Sequence, residues 1–274
     1  MAPGRVRLVG VALGARVRIL VTGADGITGQ AVIRHLVAGG VEVTGLASDE
    51  DLRDADMLRR AMAGCERVYH ICPAGAPDEV EIGDAVIGAA QASDISLFGY
   101  HSVIAPHIEE IPSHWAKMQV QMALMRSGLP FSVVQPALTV ADLMLDPEAV
   151  CETGELVLPF AADTPLPWVD IEDVGEAAAV LMTKPGQQGG GYELCGTGQP
   201  LTPRDMAKHM SDAFGVPISA SLCSVDAGHT ASFRALAEYL SRHGLRAGNP
   251  NVLTLLLGRP PTSFERFLAR SDGA

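Results

Sequence analysis

The segment at residues 99–119, GYHSVIAPHIEEIPSHWAKMQ, concentrates side chains that can hold or move a proton. A phenol, an imidazole or a hydroxyl beside a substrate oxygen can donate a proton as that oxygen gains charge, and an ammonium can lower the pKa of its neighbour. The spacing therefore predicts one wall of an active site and leaves open which group moves the proton. The candidate groups are Tyr100, His101, Ser102, His107, His114 and Lys117.

A second segment, GADGITG at residues 23–29, follows the apolar run VRILV at residues 17–21 and precedes an amphipathic helical stretch. Gly23 permits a sharp turn, Gly26 allows the backbone to approach a pyrophosphate, and Gly29 lets the helix pack closely on the strand. The helix N-terminus adds free N–H groups and a partial positive charge. The segment predicts a dinucleotide site rather than a plain turn, with contacts from Gly23, Asp25, Gly26, Ile27, Thr28 and Gly29.

Short apolar runs alternate with amphipathic stretches along the first half of the chain. This alternation predicts an α/β protein with a doubly wound parallel sheet and a smaller C-terminal substrate lobe after Pro136. The predicted domains are an N-terminal extension at 1–16, a dinucleotide-binding core at 17–136 to which 168–195 returns, and a lobe built from 137–167 and 196–270. Strands are predicted at 17–21, 41–46, 67–72, 95–100, 131–135 and 191–194, and helices at 31–38, 54–63, 80–91, 113–127, 171–182, 203–214 and 232–243.

Charge and cysteine content narrow the partners of the chain, which has 274 residues. Its 20 Lys and Arg against 32 Asp and Glu give a net charge of −12, which disfavours binding to nucleic acid. The 5 cysteines are scattered and form no CxxC pair, so we expect no metal site and a reducing cytoplasm. The opening segment is too charged for a signal peptide or a membrane span. We expect a cytoplasmic protein that acts on a small organic molecule, with a homodimer left open.

Five further stretches resemble the NmrA-like family of atypical short-chain dehydrogenases/reductases. They are DLRD at 51–54, YHSV at 100–103, HWAK at 114–117, WVDIEDV at 168–174 and GRPPTSFE at 258–265. The resemblance implies an NAD(P)-binding Rossmann core, with Ser102 at the position of the catalytic serine and Lys117 holding the nicotinamide ribose. It also implies cofactor contacts from Asp51, Leu52, Gln135, Pro136 and Ala137, with a plain loop as the alternative for residues 135–137. Cys72 and Pro73 end the predicted strand 67–72 over the expected cofactor cleft, where Cys72 either lines the cleft or is a small buried hydrophobic residue.

The chain departs from the Tyr-x-x-x-Lys pair that reductases of this superfamily use as proton donor. Ser113 stands four residues before Lys117, and an alkanol has no accessible pKa near neutrality. Tyr100, His101 or His114 would then replace the missing phenol. The alternative for each histidine is a partly buried hydrogen-bonding residue with no catalytic role.

A second departure concerns the adenosine end of the cofactor. Leu46 is followed almost directly by Asp51, so the usual third strand and its helix are absent or collapsed. Ser48 and Asp49 stand where an arginine would favour a 2′-phosphate. The residues favour NADH and the resemblance favours NADPH, so the predicted cofactor is NADP or NAD with the preference unresolved.

The sequence predicts an NAD(P)H-dependent oxidoreductase that reduces a small carbonyl, enone or quinone-like organic substrate. A regulator that binds the dinucleotide as a redox signal without turnover is the first alternative, because the usual tyrosine is absent. A non-redox enzyme on the same fold, such as an isomerase, cyclase or dehydratase, is the second, because the adenosine loop is short.

Overall fold

The computed structural model describes residues 7–9, 17–73, 75–139, 146–225, 229–245 and 248–271. The strands are β1 (Arg7–Val9), β2 (Arg18–Thr22), β3 (Glu42–Leu46), β4 (Arg67–His70), β5 (Leu97–His101), β6 (Phe131–Pro136), β7 (Glu155–Leu158), β8 (Gly190–Leu194) and β9 (Ser219–Leu222). The helices are α1 (Ile27–Ala38), α2 (Ala55–Met62), α3 (Glu79–Gln91), α4 (Pro112–Arg126), α5 (Pro147–Thr153), α6 (Ile171–Thr183), α7 (Pro203–Phe214), α8 (Ala231–His243), α9 (Pro250–Leu257) and α10 (Phe264–Ser271).

The main sheet has seven strands in the order β1-β3-β2-β4-β5-β6-β8. Strands β3, β2, β4, β5 and β6 run parallel to one another. The chain moves from β2 to β3 on one side and then to β4 on the other side of β2, so the winding direction reverses there. Ligands of open α/β sheets bind at the carboxyl ends of the strands at such a reversal. The predicted doubly wound α/β fold is confirmed.

The edge of the sheet beside β3 carries β1, which runs antiparallel, with Leu8 opposite Thr44. In the usual dinucleotide-binding order, a third parallel strand occupies this edge. Here Ala47–Asp54 leads from β3 straight into α2, so the predicted loss of one helix–strand unit is confirmed. Within the segment predicted as an N-terminal extension, 1–16, residues 7–9 form a strand of the sheet. The rest of that extension lies outside the described residues.

Helix α2 begins where the sequence places an N-cap. The Asp54 side chain accepts hydrogen bonds from the backbone N–H groups of Asp56 and Met57, which satisfies two donors that the first turn leaves free. The side chains of Leu58 and Met62 in α2 are fully buried in the core of the first unit. The short loop after β3 is therefore fixed at its far end by this helix.

The chain divides into two compact units. The first comprises residues 1–107, 113–135 and 174–192, and the second comprises 108–112, 136–173 and 193–274. The predicted return segment, 168–195, differs from this division, because its first residues up to Asp173 belong to the second unit and the return ends at Tyr192. The candidate site residues Glu79, Tyr100, Ser102, Lys117 and Gln121 all lie in the first unit.

The second unit has its own core, in which the Trp168 ring packs edge-on against Phe264 with 5.3 Å between ring centroids. Asp173, at the start of α6, accepts hydrogen bonds from the backbone N–H of Thr262 at 2.6 Å and from Arg259 at 2.8 Å. The GRPPTSFE segment is thus held to the first turn of α6 by a buried carboxylate.

Candidate functional site

The glycine turn follows β2 at the carboxyl end of the sheet. Gly23 has a φ of +61°, and a Cβ there would lie 3.1 Å from the carbonyl oxygen of Ile71, which follows β4. A Cβ on Gly29 would lie 2.1 Å from the Gly23 carbonyl oxygen, closer than any two such atoms can approach. Both glycines are therefore required by the backbone itself, and they bring the start of α1 against the ends of β2 and β4.

The outer side of the same turn is open. A Cβ on Gly26 would meet only the Gly23 carbonyl oxygen, at 3.4 Å. Gly26 is the N-cap of α1, no side chain caps that helix, and its first turn carries no acidic residue. Its first N–H groups and its positive dipole end are thus free to bind an anion. The residues present fit a dinucleotide pyrophosphate at this position.

Asp25 ties the glycine turn to the loop after β3. Its Oδ1 accepts hydrogen bonds from the Ser48 backbone N–H at 2.8 Å and from the Ser48 hydroxyl at 2.6 Å. These bonds lower the pKa of the exposed Asp25 carboxyl below its ordinary value. Ala24 also donates its N–H to the Leu46 carbonyl oxygen at 2.9 Å. The turn is thereby fixed against the end of β3.

Lys117 lies on α4 and forms an ion pair that the sequence did not predict. Its Nζ is 2.6 Å from Oε1 of Glu79, the first residue of α3. Glu79 is 1% exposed, and it accepts a second hydrogen bond from the Tyr100 hydroxyl at 2.9 Å. The ammonium also lies 5.8 Å from the centroid of the Tyr100 ring. One buried carboxylate therefore holds both the lysine and the tyrosine.

In this arrangement the Tyr100 hydroxyl uses its proton in the hydrogen bond to Glu79. The hydroxyl is fully buried and donates its proton to Glu79, and burial together with that carboxylate raises the Tyr100 pKa well above its ordinary value. Cys72, which follows β4, is also buried, and burial raises the pKa of its thiol to about 12. Tyr100 therefore has a structural hydrogen bond in place of a free acidic proton, and Cys72 lies there as a neutral thiol.

The two histidines proposed as proton donors are held in their neutral forms. Burial lowers the pKa of His101 to about 3 and that of His114 to about 4. His114 Nδ1 lies 3.1 Å from the carbonyl oxygen of Ala105, so that nitrogen must carry the ring proton and donate it there. His101 Nδ1 lies 3.0 Å from the Tyr69 hydroxyl. A neutral imidazole carries no readily acidic proton near neutrality, and the ring N–H of His114 is also bonded to the Ala105 carbonyl oxygen, so neither histidine is suited to serve as a general acid there.

His114 has a visible structural role in this loop. Ala105 is the one non-glycine residue with a positive φ, +50°, in the described part of the chain. This left-handed conformation is costly for a residue with a Cβ. The bond from His114 therefore stabilises the carbonyl position of a residue with an unfavourable backbone conformation.

Ser102 follows β5 and lies at the end of a hydrogen-bonded chain. Gln121 Nε2 donates to Ser102 Oγ at 2.6 Å, and Gln135 Nε2 donates to Gln121 Oε1 at 3.0 Å. Ser102 is 2% exposed. The hydroxyl accepts this one bond and keeps its own proton, which it can donate to a substrate oxygen.

The other predicted cofactor residues lie at different depths. Asp51 is exposed and pairs with Arg53 at 2.9 Å, whereas Leu52 is buried in the core of the first unit. Pro73 is half-buried and follows Cys72 after β4. Ala137 donates its N–H to the Leu194 carbonyl oxygen at 2.9 Å, in the second unit together with Pro136. Ile27 is 60% exposed and Thr28 half-buried, beside the open side of the glycine turn.

Sequence reasoning missed Glu79 and Gln121. Glu79 looks like one of the acidic residues that commonly occupy the first turn of a helix, and its neighbours Asp78 and Glu81 give no sign that it alone is buried. Gln121 falls one turn after Lys117 on α4, where an apolar residue would be expected to face the sheet. That buried glutamine was the available signal.

The described residues contain no group of three or more His, Cys, Asp or Glu side chains arranged to hold a metal ion. No helix among them is long and apolar enough to cross a membrane.

Comparison with known proteins identifies the family. The model of the NmrA-like family matches residues 41–227, which is more than half of the chain. The chain belongs to the NmrA-like family, as its motifs predicted.

Proteins similar to this chain include one reductase matched by sequence and two reductases matched by structure. NAD(P)H azoreductase of Xenophilus azovorans is 28% identical over 278 aligned residues, which cover 91% of this chain and 96% of the relative. The NADPH complex of the NADPH-dependent quinone oxidoreductase of Escherichia coli superposes with a TM-score of 0.78 at 20% identity, covering 93% of this chain and all of the other. Triphenylmethane reductase of Citrobacter sp., solved with NADP(H), gives 0.78 at 21%, covering 93% and 99%. Both structures share the fold of this chain.

Proposed function

We propose that this chain is an NAD(P)H-dependent oxidoreductase that reduces flat, conjugated acceptors of the quinone or azo type. The observation that carries the proposal is the open, uncapped start of α1 at the glycine turn, at the point where the sheet reverses its winding. The similarity to an NAD(P)H azoreductase over 91% of the chain supports the same function. Among the predicted carbonyl, enone and quinone-like substrates, the chemistry of the site favours the quinone-like ones.

The residues of the first unit divide the binding of the cofactor among them. Gly23 and Gly26 give the pyrophosphate access to the N–H groups at the start of α1, including that of Ile27. Lys117 has three donor protons, of which Glu79 takes one, so the others remain for the nicotinamide ribose. The reduced cofactor, when bound, supplies the hydride.

The acid–base properties of the site favour a particular class of acceptor. A simple ketone that accepts hydride becomes a strongly basic alkoxide and needs a positioned acid. The phenol of Tyr100 is committed to Glu79, Ser113 replaces the usual tyrosine, and the histidines are neutral. A quinone that accepts hydride becomes a stabilised phenolate, and water can protonate it after the transfer. The site is therefore suited to acceptors that delocalise the added electron pair.

Ser102 has the role of a hydrogen-bond donor in this scheme. Its oxygen accepts from Gln121, which orients the hydroxyl and leaves its proton for an oxygen or nitrogen atom of the substrate. One neutral hydrogen bond stabilises developing charge without transferring a proton. This contribution is sufficient for a delocalised anion and insufficient for an alkoxide.

The experiment is a turnover assay with a panel of acceptors. Purified protein is mixed with NADH or NADPH and a quinone, an azo dye, an enone or an unactivated ketone, and oxidation of the cofactor is followed. We expect oxidation with the quinone or azo dye and none above background with the ketone. Strict preference for the ketone would overturn the proposed acceptor class.

A regulator that binds the dinucleotide without turnover is the second candidate, and Ser113 in the position of the usual tyrosine favours it. Saturable binding of NADH or NADPH with no oxidation by any acceptor of the panel would support it over the reductase.

A further inference from the structure

The link between Asp25 and Ser48 lies where a dinucleotide-binding fold places the adenosine ribose. Gly23 follows β2 and starts the phosphate-binding turn. In such folds the residues after the next strand contact the ribose hydroxyls. Asp25 belongs to the turn and Ser48 to the loop after β3. The two hydrogen bonds between them join both sides of the predicted ribose position.

The Asp25 carboxylate accepts from Ser48 and lies close to the backbone N–H groups of Asp25 and Gly26, and it keeps acceptor capacity for a ligand. Both bonds from Ser48 go to Oδ1, so Oδ2 takes no part in that contact. Asp25 is exposed, and its hydrogen bonds favour the ionised form. An ionised carboxylate accepts hydrogen bonds only, so it matches a ribose 2′-hydroxyl and repels a 2′-phosphate.

The neighbouring loop offers no cation to offset this repulsion. Residues 47–54 carry four carboxylates, Asp49, Glu50, Asp51 and Asp54, and one guanidinium, Arg53. Arg53 is already held by Asp51 at 2.9 Å and by Asp78 at 2.8 Å. Ser48 and Asp49 occupy the positions just after β3 where an arginine would favour a 2′-phosphate.

We propose that the Asp25–Ser48 pair makes this chain selective for NADH over NADPH. The proposal rests on the proposed function, since it concerns the cofactor of that same site. Asp25 would accept a hydrogen bond from the 2′-hydroxyl of NADH, and Ser48 would hold the carboxylate in place. The same carboxylate and the acidic loop would exclude the 2′-phosphate of NADPH.

The test is binding of NADH and of NADPH to the full chain, measured by calorimetry and by fluorescence of the reduced nicotinamide. We expect the wild type to bind NADH at least about tenfold more tightly. Asp25→Ser should narrow the ratio of the two dissociation constants about tenfold by strengthening NADPH binding and weakening NADH binding. Asp94→Ser removes the same charge from an exposed turn at the amino ends of the strands, and it should leave the ratio unchanged.

A second variant keeps the test decisive if Asp25→Ser fails to fold. Ser48→Arg places a cation beside the 2′ position and should strengthen NADPH binding about tenfold. Ser48→Ala is its control, because it removes the serine hydroxyl without adding a charge. Equal affinities in the wild type, tighter NADPH binding, or an unchanged ratio in both Asp25→Ser and Ser48→Arg would overturn the selectivity. Failure to bind either dinucleotide would overturn the proposed function as well.

Discussion

Lys117 Nζ lies 2.6 Å from Oε1 of Glu79, and this ion pair joins the first residue of α3 to the middle of α4 beneath the candidate site. The side chain of Glu79 is 1% exposed and that of Lys117 is 16% exposed. Neither charge can be removed alone without leaving the other in a poorly hydrated position. The family resemblance assigns Lys117 to the cofactor. Its position is thus fixed by Glu79, a carboxylate that lies outside the family motifs.

The first prediction concerns the stability of this pair. Lys117→Met leaves a buried carboxylate without its cation, so we expect the free energy of unfolding to fall by about 3–5 kcal/mol. The double variant Glu79→Gln with Lys117→Met should recover part of that loss, because no buried charge remains. Urea denaturation measures both. Asp163→Asn removes an exposed partner of Arg204 and is the matched control, for which we expect no measurable change. An equal, small loss in all three variants would contradict the buried pair.

The second prediction separates a structural tyrosine from a catalytic one. Tyr100→Phe deletes a hydrogen bond to a buried carboxylate, so it should cost about 1.5–3 kcal/mol of stability. The rate of hydride transfer to a quinone should change less than about threefold, because removal of a true general acid costs about a hundredfold or more. Unfolding curves and single-turnover rates measure the two effects. A large loss of rate with unchanged stability would show that the phenol is the acid.

The third prediction concerns the dependence of stability on pH. Burial lowers the pKa of His114 in the folded chain to about 4 from an ordinary value of 6.5. Between these pH values the unfolded chain binds a proton at this histidine that the folded chain does not bind. The contribution of His114 to the free energy of unfolding is therefore fully present above pH 6.5, and it is lost as the pH falls towards 4. The slope is about 1.4 kcal/mol per pH unit.

His114→Asn tests that prediction, because an asparagine amide can still donate to the Ala105 carbonyl oxygen but does not titrate. The variant should lose less stability than the wild type between pH 7 and pH 5. A profile in His114→Asn as steep as that of the wild type would refute the assignment.

The fourth prediction concerns the donor beside the substrate. Ser102→Ala removes the hydroxyl that receives a bond from Gln121, so we expect kcat/KM for a quinone to fall by about tenfold with the loss mainly in kcat. Cofactor affinity should stay unchanged. Ser132→Ala, at a buried serine that donates to the Gln187 carbonyl oxygen instead, is the control. A fall in cofactor affinity without a change in kcat would place Ser102 at the cofactor and away from the substrate.

Much of the first unit could be predicted from the sequence, because its elements carry strong local signals. The sequence indicates the glycine turn between VRILV and α1 and the N-cap at Asp54 by their residue types. It indicates the long helices α3 and α4 by their hydrophobic periodicity. The second unit was harder to predict. Elements β7, β9 and α5 have eight residues or fewer, too short for a hydrophobic period to be recognised among prolines.

Motifs in the sequence indicate Ser102 and Lys117 as candidate site residues, but they do not indicate the hydrogen-bond partners of these residues. The partners Gln121 and Glu79 lie 19 and 38 residues away along the chain. The pairing depends on which side of the sheet each helix packs, a tertiary property that a single sequence does not reveal. The roles of Tyr100 and His114 depend on the same packing.

The central claim is that a dinucleotide binds at the glycine turn, and Gly26→Ala tests it most directly. The added Cβ would meet only the Gly23 carbonyl oxygen at 3.4 Å, so the fold should be retained, while the methyl group would occupy the space of the pyrophosphate. We predict saturable binding of NADH by the wild type, and an affinity lower by about tenfold or more in the variant at an unchanged Tm. Equal affinity in the two proteins, or no binding by the wild type, would contradict the account.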